Sequence, residues 1–190
     1  MPKLWSETIE SHRKDVRDAI FEAAVAMARQ GRLTSLTMSA IAEGAGITRA
    51  TLYKYFPDVD TILRGWNERQ VERNLAELVA ARDRGGDAEQ RLAHMLETYA
   101  RLVHEQHGSE LVAAFQHGEA ATRGYRQLTD MLRSAIAEAA KRGRLRKDVS
   151  PDELASFCVH ALAAAHGLPS MAAVRRLVSV TLAGLRPPAR

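Results

Sequence analysis

The sequence predicts an all-α chain of about nine helices in two parts: a three-helix N-terminal domain over residues 1–57 and a larger helical bundle over 58–190. Three observations predict it. Apolar residues recur at three- and four-residue spacing along nearly the whole chain, as one face of a helix requires. No run alternates apolar and polar residues with the period of a strand. Each periodic stretch is bounded by a glycine, a proline or a capping hydroxyl or carboxylate.

The first helix is read over 13–30, with Val16, Ile20, Ala23, Ala24 and Met27 on one stripe and Gly31 as its stop. Thr37 suits the N-cap of a short second helix that halts at Gly44–Gly46. Thr48 caps a third, RATLYKYF, closed by Pro57. Asp58 or Asp60 opens a long fourth helix to about Arg84, broken by Gly85–Gly86. Asp87 restarts helical spacing with Leu92, Met95, Leu96, Tyr99, Leu102 and Val103. A short apolar helix follows Ser109, and another runs from about Thr122 to Lys141. Ser150, Pro151 and Glu153 spell an N-cap, a first helical residue and a capping box. The last two helices cover about 151–166 and 170–185, and the tail RPPAR is expected to fray.

Composition bounds the function more than it names it. The chain has 190 residues, a formal charge of +4 and 46% apolar residues, which permits a nucleic-acid partner without requiring one. Cys158 is the single cysteine, so intramolecular disulfides and cysteine-based zinc sites are excluded. The opening MPKLWSETIE has no signal-like apolar stretch, and no run approaches membrane-spanning length. A cytoplasmic protein with no membrane partner is the expectation.

Residues 37–57 carry the sharpest signal. A short helix with small residues (Ala40, Ala42, Ala45) ends at Gly46, and a second begins at once with Ile47 and Leu52 facing inward. Small residues let two helices approach closely and glycine makes the sharp turn, so the spacing reads as a helix-turn-helix. The second helix then offers Arg49, Thr51, Lys54 and Tyr55 outward, on a helix of the width that enters a DNA major groove. The competing reading is an amphipathic helix whose tyrosines pack under a neighbour.

The run RKDVRDAIFEAAVAMARQG, followed by LTMSAIAEGAGITRATLYKYFPDVDTIL, resembles the DNA-binding domain of the tetracycline-repressor (TetR) family. The likeness covers about residues 10–63. It rests on the alanine-rich first helix, the hydroxyl before the second helix, the I-A-x-x-A-G-I turn, and T-L-Y-x-Y-F before proline. It implies that Thr37, Thr48 and Tyr53 touch phosphates of double-stranded operator DNA. It implies that Arg49, Ala50, Thr51 and Tyr55 lie against base edges, with Lys54 near the backbone. Two positions depart from the family pattern: Val59 stands where a phosphate-binding lysine is common, and Arg32 where an aromatic is common.

Beyond residue 63 only the helix number and lengths resemble the family. The resemblance implies a small-molecule effector held in the bundle, and Trp66, Met95, Tyr99, Phe115, His117 and Tyr125 are the candidate pocket residues, suited to an apolar or aromatic compound. Ordinary core packing is the alternative for each aromatic. The last two helices carry stripes of small and apolar residues. The candidates there for a two-fold homodimer are Leu154, Phe157, Ala161, Leu162, Val174, Val178 and Thr181; a dimer supplies two reading heads for a palindromic operator. His104 and His107 stand one turn apart at a polar helix end, where the helix dipole favours histidine, and no metal or cofactor is expected. The run KRGRLRK at 141–147 reads as a solvated helix end stopped by Gly143, and Cys158 as a buried thiol. No nucleophile-plus-base arrangement stands out, so an enzyme is not expected. The expectation is a ligand-responsive repressor; the alternative is a DNA-binding regulator controlled by a protein partner.

Overall fold

Residues 10–15, ESHRKD, carry no apolar stripe, yet they lie inside the first helix. In the computed structural model, which describes residues 3–29, 36–106 and 118–187 (side chains from Glu10 onward), α1 runs Lys3–Arg29. The helix read over 13–30 therefore starts ten residues earlier. Its turns at 10–15 are exposed, so no burial pattern marks them. The elements that follow are α2 (Met38–Gly44), α3 (Arg49–Tyr55), α4 (Val59–Arg82), α5 (Ala88–Glu105), α6 (Glu119–Lys141), α7 (Pro151–Ala163), a 3-10 turn (Ala164–Gly167) and α8 (Met171–Gly184). These are eight α-helices among the described residues, with no strand. The short helix expected after Ser109 falls outside them.

Two compact units divide the described residues, 3–69 and 70–187. The division lies inside α4, at Arg69–Gln70, not at Pro57–Asp58 as the proline suggested. The reason is burial. Ile62 and Leu63 on the first turns of α4 are buried in the core built by α1, α2 and α3, and Val59 and Trp66 pack against it. That core holds Ile20, Phe21 and Ala24 of α1, Ile41 and Ala42 of α2, and Leu52 with Phe56 at α3. Phe21 and Phe56 meet at 5.4 Å between ring centroids, with the Arg17 guanidinium over the Phe56 ring. Arg69 holds Asp18 through both carboxylate oxygens, fastening α4 to α1.

The second unit is wound around α5, whose Leu92, Met95, Leu96, Ala100 and Leu102 are buried in a core shared with α6, α7 and α8. The breaks fall where local chemistry puts them. Gly85 and Gly86 adopt φ of +85° and +96°, a region that glycine alone enters freely. Asp87 then caps α5, accepting from Gln90 N–H while Gln90 returns the bond. Ser150 and Glu153 form the same reciprocal box at α7, with Pro151 as first residue. After α6, the KRGRLRK loop turns at Gly143 and sends Leu145 into the core. The Arg146 N–H donates to the Leu185 carbonyl at 2.9 Å, and its guanidinium donates to the Gly184 carbonyl and pairs with Asp148. Leu185 itself is fully buried. The basic run is therefore a structural closure in which Leu145 is buried, Arg146 half-buried and the other residues exposed.

Candidate nucleic-acid interface

α2 and α3 are built to be held close and turned sharply. Thr37 Oγ1 accepts from Ala40 N–H at 3.2 Å and starts α2. Gly46 follows at φ +66°, and the Ile47 N–H donates back to the Ala42 carbonyl at 3.0 Å. Thr48 Oγ1 then accepts from Thr51 N–H at 3.1 Å and starts α3. Along α3 the residues divide by face. Leu52 is completely buried and Phe56 nearly so, which fixes α3 on its core. Arg49, Ala50, Tyr53 and Lys54 are exposed, and Thr51 is half-buried.

The two tyrosines part company here. Tyr53 is 46% exposed, whereas Tyr55 is half-buried and packs against the core of its unit. Tyr55, a base-edge candidate, thus has part of its surface committed to the core. On the outer face the side chains are paired with one another. Arg49 Nη2 donates to the Tyr53 hydroxyl at 3.2 Å, with the guanidinium carbon 5.5 Å from the ring centroid. The Thr48 and Thr51 hydroxyls are 2.8 Å apart. Reading from sequence treated these residues one by one and did not predict the Arg49–Tyr53 pair, although its i, i+4 spacing was visible.

The candidate effector residues that are described fall in both units. Trp66 packs against the core of the first unit, because it lies on the same face of α4 as Ile62 and Val59. Met95 is fully buried within the second core. Tyr99 packs against that core, and its burial pushes the phenol up to about 12, with Tyr125 adding to the shift. Tyr125 is exposed and meets the His160 ring edge-on at 6.5 Å. Phe115, His117 and His107 lie outside the described residues. His104 donates through Nδ1 to the Ala165 carbonyl at 3.1 Å. Among the described residues no cluster of three or more His, Cys, Asp or Glu is placed to hold a metal. Two buried polar atoms of the second unit, Asn74 Oδ1 and His94 Nδ1, have no hydrogen-bond partner within it. A cleft of about 310 Å³ lies elsewhere, between the α4–α5 turn and α6, lined by Arg82, Asp83, Arg91, Met131, Ser134 and Glu138 among others. Arg91 and Glu138 pair across it at 2.6 Å. No sequence signal marked it, because its groups come from three separate elements.

The candidate dimer residues also divide. Leu154, Leu162, Val174, Val178 and Thr181 are buried inside their own unit, where α7 and α8 pack on α5 and α6. Phe157 (46%) and Val180 (69%) point outward, and Ala161 is half-buried. The Phe157 ring lies against Gly184, where a β-carbon would stand 3.5 Å from it. Cys158 is buried and its thiol is pushed up to about 12 by loss of solvent. No helix among the described residues is long and apolar enough to cross a membrane.

Comparison with known proteins adds independent weight. Residues 20–64 match the model of bacterial regulatory proteins of the tetR family. Residues 87–187 match the C-terminal domain of SbtR-like transcriptional regulators. The chain is 34% identical to the HTH-type transcriptional repressor KstR of Mycolicibacterium smegmatis over 91 residues, which is 48% of this chain and 45% of KstR, so the alignment spans less than half of that relative. A TetR/AcrR-family transcriptional regulator from Thermobifida fusca superposes with a TM-score of 0.78 at 20% identity, over 90% of this chain and 98% of the other. SmeT, the repressor of the Stenotrophomonas maltophilia multidrug efflux pump SmeDEF, superposes with a TM-score of 0.69 at 21% identity, over 90% and 92% of the two chains. A further SmeT structure is its complex with triclosan, with a TM-score of 0.64 at 20% identity over 90% and 91%. At these identities the structural likenesses speak to the fold.

Proposed function

The chain belongs to the TetR family of bacterial regulatory proteins, DNA-binding transcription factors and not enzymes, and on that premise we propose that it is a repressor released from a palindromic operator by a small-molecule effector. The observation that carries the DNA-binding half is the division of α3. Leu52 and Phe56 fix the helix from beneath, which leaves Arg49, Ala50, Tyr53 and Lys54 exposed above. Such a helix delivers a fork of guanidinium donors to base edges and an ammonium to phosphate. Thr48 and Thr37 serve first as helix caps; the Thr37 hydroxyl keeps its proton to donate to a phosphate oxygen, and the paired Thr48 and Thr51 hydroxyls keep one such proton between them.

A second reading head comes from a homodimer. The face we assign to it is Phe157 and Ala161, one turn apart on α7, with Val180 and Gly184, one turn apart on α8. The Phe157–Gly184 contact makes these residues one continuous apolar patch. The buried members of the original stripe hold the protomer together beneath it.

The effector reading rests on the family and on the second unit. SmeT, which shares the fold, is known bound to triclosan. Here Tyr99, Asn74 and His94 put polar atoms within a largely apolar bundle, and Asn74 Oδ1 and His94 Nδ1 are buried without a partner among the described residues. An effector with an aromatic or aliphatic body and one or two polar groups suits them. Repression in the manner of KstR remains part of this proposal.

The test is selection of duplexes by the full-length protein from a randomised library, followed by binding across a salt series. A two-fold symmetric consensus is expected, with Arg49→Ala changing which duplex is preferred. Lys54→Ala lowers the salt slope by about two units, because the dimer loses one phosphate contact in each reading head. Enrichment of no sequence over the starting library overturns the reading.

A further inference from the structure

We infer that Tyr53 is a specificity-determining positioning residue: its phenol holds the Arg49 guanidinium ready for a base edge, so that one residue joins phosphate binding to sequence readout. The inference rests on the assignment of α3 as the reading helix and goes beyond it, because a tyrosine that only touches phosphate carries no sequence information.

The geometry is specific. Arg49 and Tyr53 stand one turn apart on the exposed face of α3. The Arg49 Nη2 donates to the Tyr53 oxygen at 3.2 Å, and the guanidinium carbon sits 5.5 Å from the ring centroid. The phenol and the ring thus act on the same cation, one by a hydrogen bond and one by attraction to the π face. Among the described residues Arg49 has no carboxylate partner, so nothing on the protein competes with the ring for it.

A free arginine side chain has many rotamers, and freezing them on DNA opposes binding. The Tyr53 pair restricts them beforehand. The guanidinium has five N–H donors in one plane. Spending one on the Tyr53 oxygen leaves four, enough for the two-donor contact that distinguishes guanine from the other bases. The Tyr53 oxygen meanwhile accepts from Arg49 and keeps its own proton to donate to a phosphate oxygen. A correctly seated phosphate contact therefore fixes the guanidinium, and a mis-registered duplex loses both contacts together. Ala50 and Lys54 flank the pair and offer no comparable acceptor.

The experiment uses the full-length protein, a duplex that it enriches from a random library, and the same duplex with its sequence scrambled. Binding of both is measured at one fixed salt concentration for wild type, Tyr53→Phe, Arg49→Ala and the double variant. Tyr53→Phe keeps the ring and removes only the hydroxyl at a half-exposed position, and far-UV circular dichroism verifies folding. The expected result is a fall of about three- to tenfold in the ratio of enriched to scrambled affinity, the range of one ordinary hydrogen bond. The same substitution leaves the ratio unmoved once Arg49 is alanine. Arg49→Lys, which keeps the charge but not the planar fork, also lowers the ratio. If Tyr53→Phe weakens both duplexes equally, the phenol is a phosphate ligand only and the inference is overturned. If Tyr53→Phe lowers the ratio as much without Arg49 as with it, the phenol acts independently and the inference again fails. If Arg49→Ala leaves the ratio intact, the assignment of Arg49 as a base reader is itself wrong, which is a different failure.

Discussion

Replacing Gly46 by alanine isolates the turn between α2 and α3. At φ +66° the residue sits in the left-handed region, where a β-carbon costs roughly 1–2 kcal/mol. A β-carbon built there meets nothing within 4 Å, so no clash adds to that cost. Alanine also narrows the unfolded ensemble, which returns about 0.4–1 kcal/mol. The net expectation is a loss of about 1 kcal/mol, or about 2–4 °C in Tm for a chain of this size. Gly46→Asn should lose less, because asparagine tolerates this region better than alanine. Gly167→Ala is the control: it too has open space around the new carbon, and its φ is not positive, so stability should hold or rise slightly. Urea unfolding followed by tryptophan fluorescence is the suitable assay, since Trp66 packs against the core of the first unit. A Gly46→Ala variant within about 0.3 kcal/mol of wild type, or an asparagine variant as unstable as the alanine one, would refute the claim that left-handed backbone at this residue sets the turn.

Three further outcomes are expected. Val180→Glu and Phe157→Glu give folded monomers in sedimentation equilibrium, while Val178→Glu, two residues from the first, fails to fold because it places an unpaired charge in the core; dimers that survive both surface changes would move the interface elsewhere. Cys158 stays unreactive toward a disulfide reagent at pH 8 until the chain is unfolded, and rapid modification of the native protein would contradict its burial. Tyr99, whose phenol is raised to about 12 by burial, should lose stability as the pH climbs past about 10, the usual phenol value, because the unfolded phenol ionises there and the folded one does not; a Tyr99→Phe variant with the same alkaline stability profile as wild type would remove that role.

What was legible in the sequence is local chemistry. Ser150, Pro151 and Glu153 announced the start of α7, and Thr37, Thr48, Asp87, Gly46 and Gly85–Gly86 announced caps and turns, because each acts on backbone within a few residues of itself. The outward face of α3 was legible in part: Arg49 and Lys54 are exposed as expected, whereas Thr51 and Tyr55 are half-buried. Burial was less legible, since it depends on which partner arrives. Leu154 and Phe157 stand in one stripe, and only the packing of α7 buries the first and exposes the second. Trp66 looked like a pocket aromatic, but α4 continues the first unit's core past Pro57, so its ring belongs there. Tyr55 resembled Tyr53, yet part of its surface is committed to the core. The polar start of α1 had no buried face to betray it.

The bond from Arg146 to Leu185 makes the carboxyl end of α8 a stopper for the second unit. Leu185 fills the core while the loop after α6 grips the two carbonyls behind it. A fusion partner joined beyond Pro187 leaves this stopper seated. Cleavage a few residues earlier, after Ala183, withdraws it, leaves the Arg146 N–H without its acceptor and admits water between Leu145 and the helices beneath. Digestion by carboxypeptidase should therefore stop abruptly at Leu185, and cleavage past that point should cost the whole unit its cooperativity.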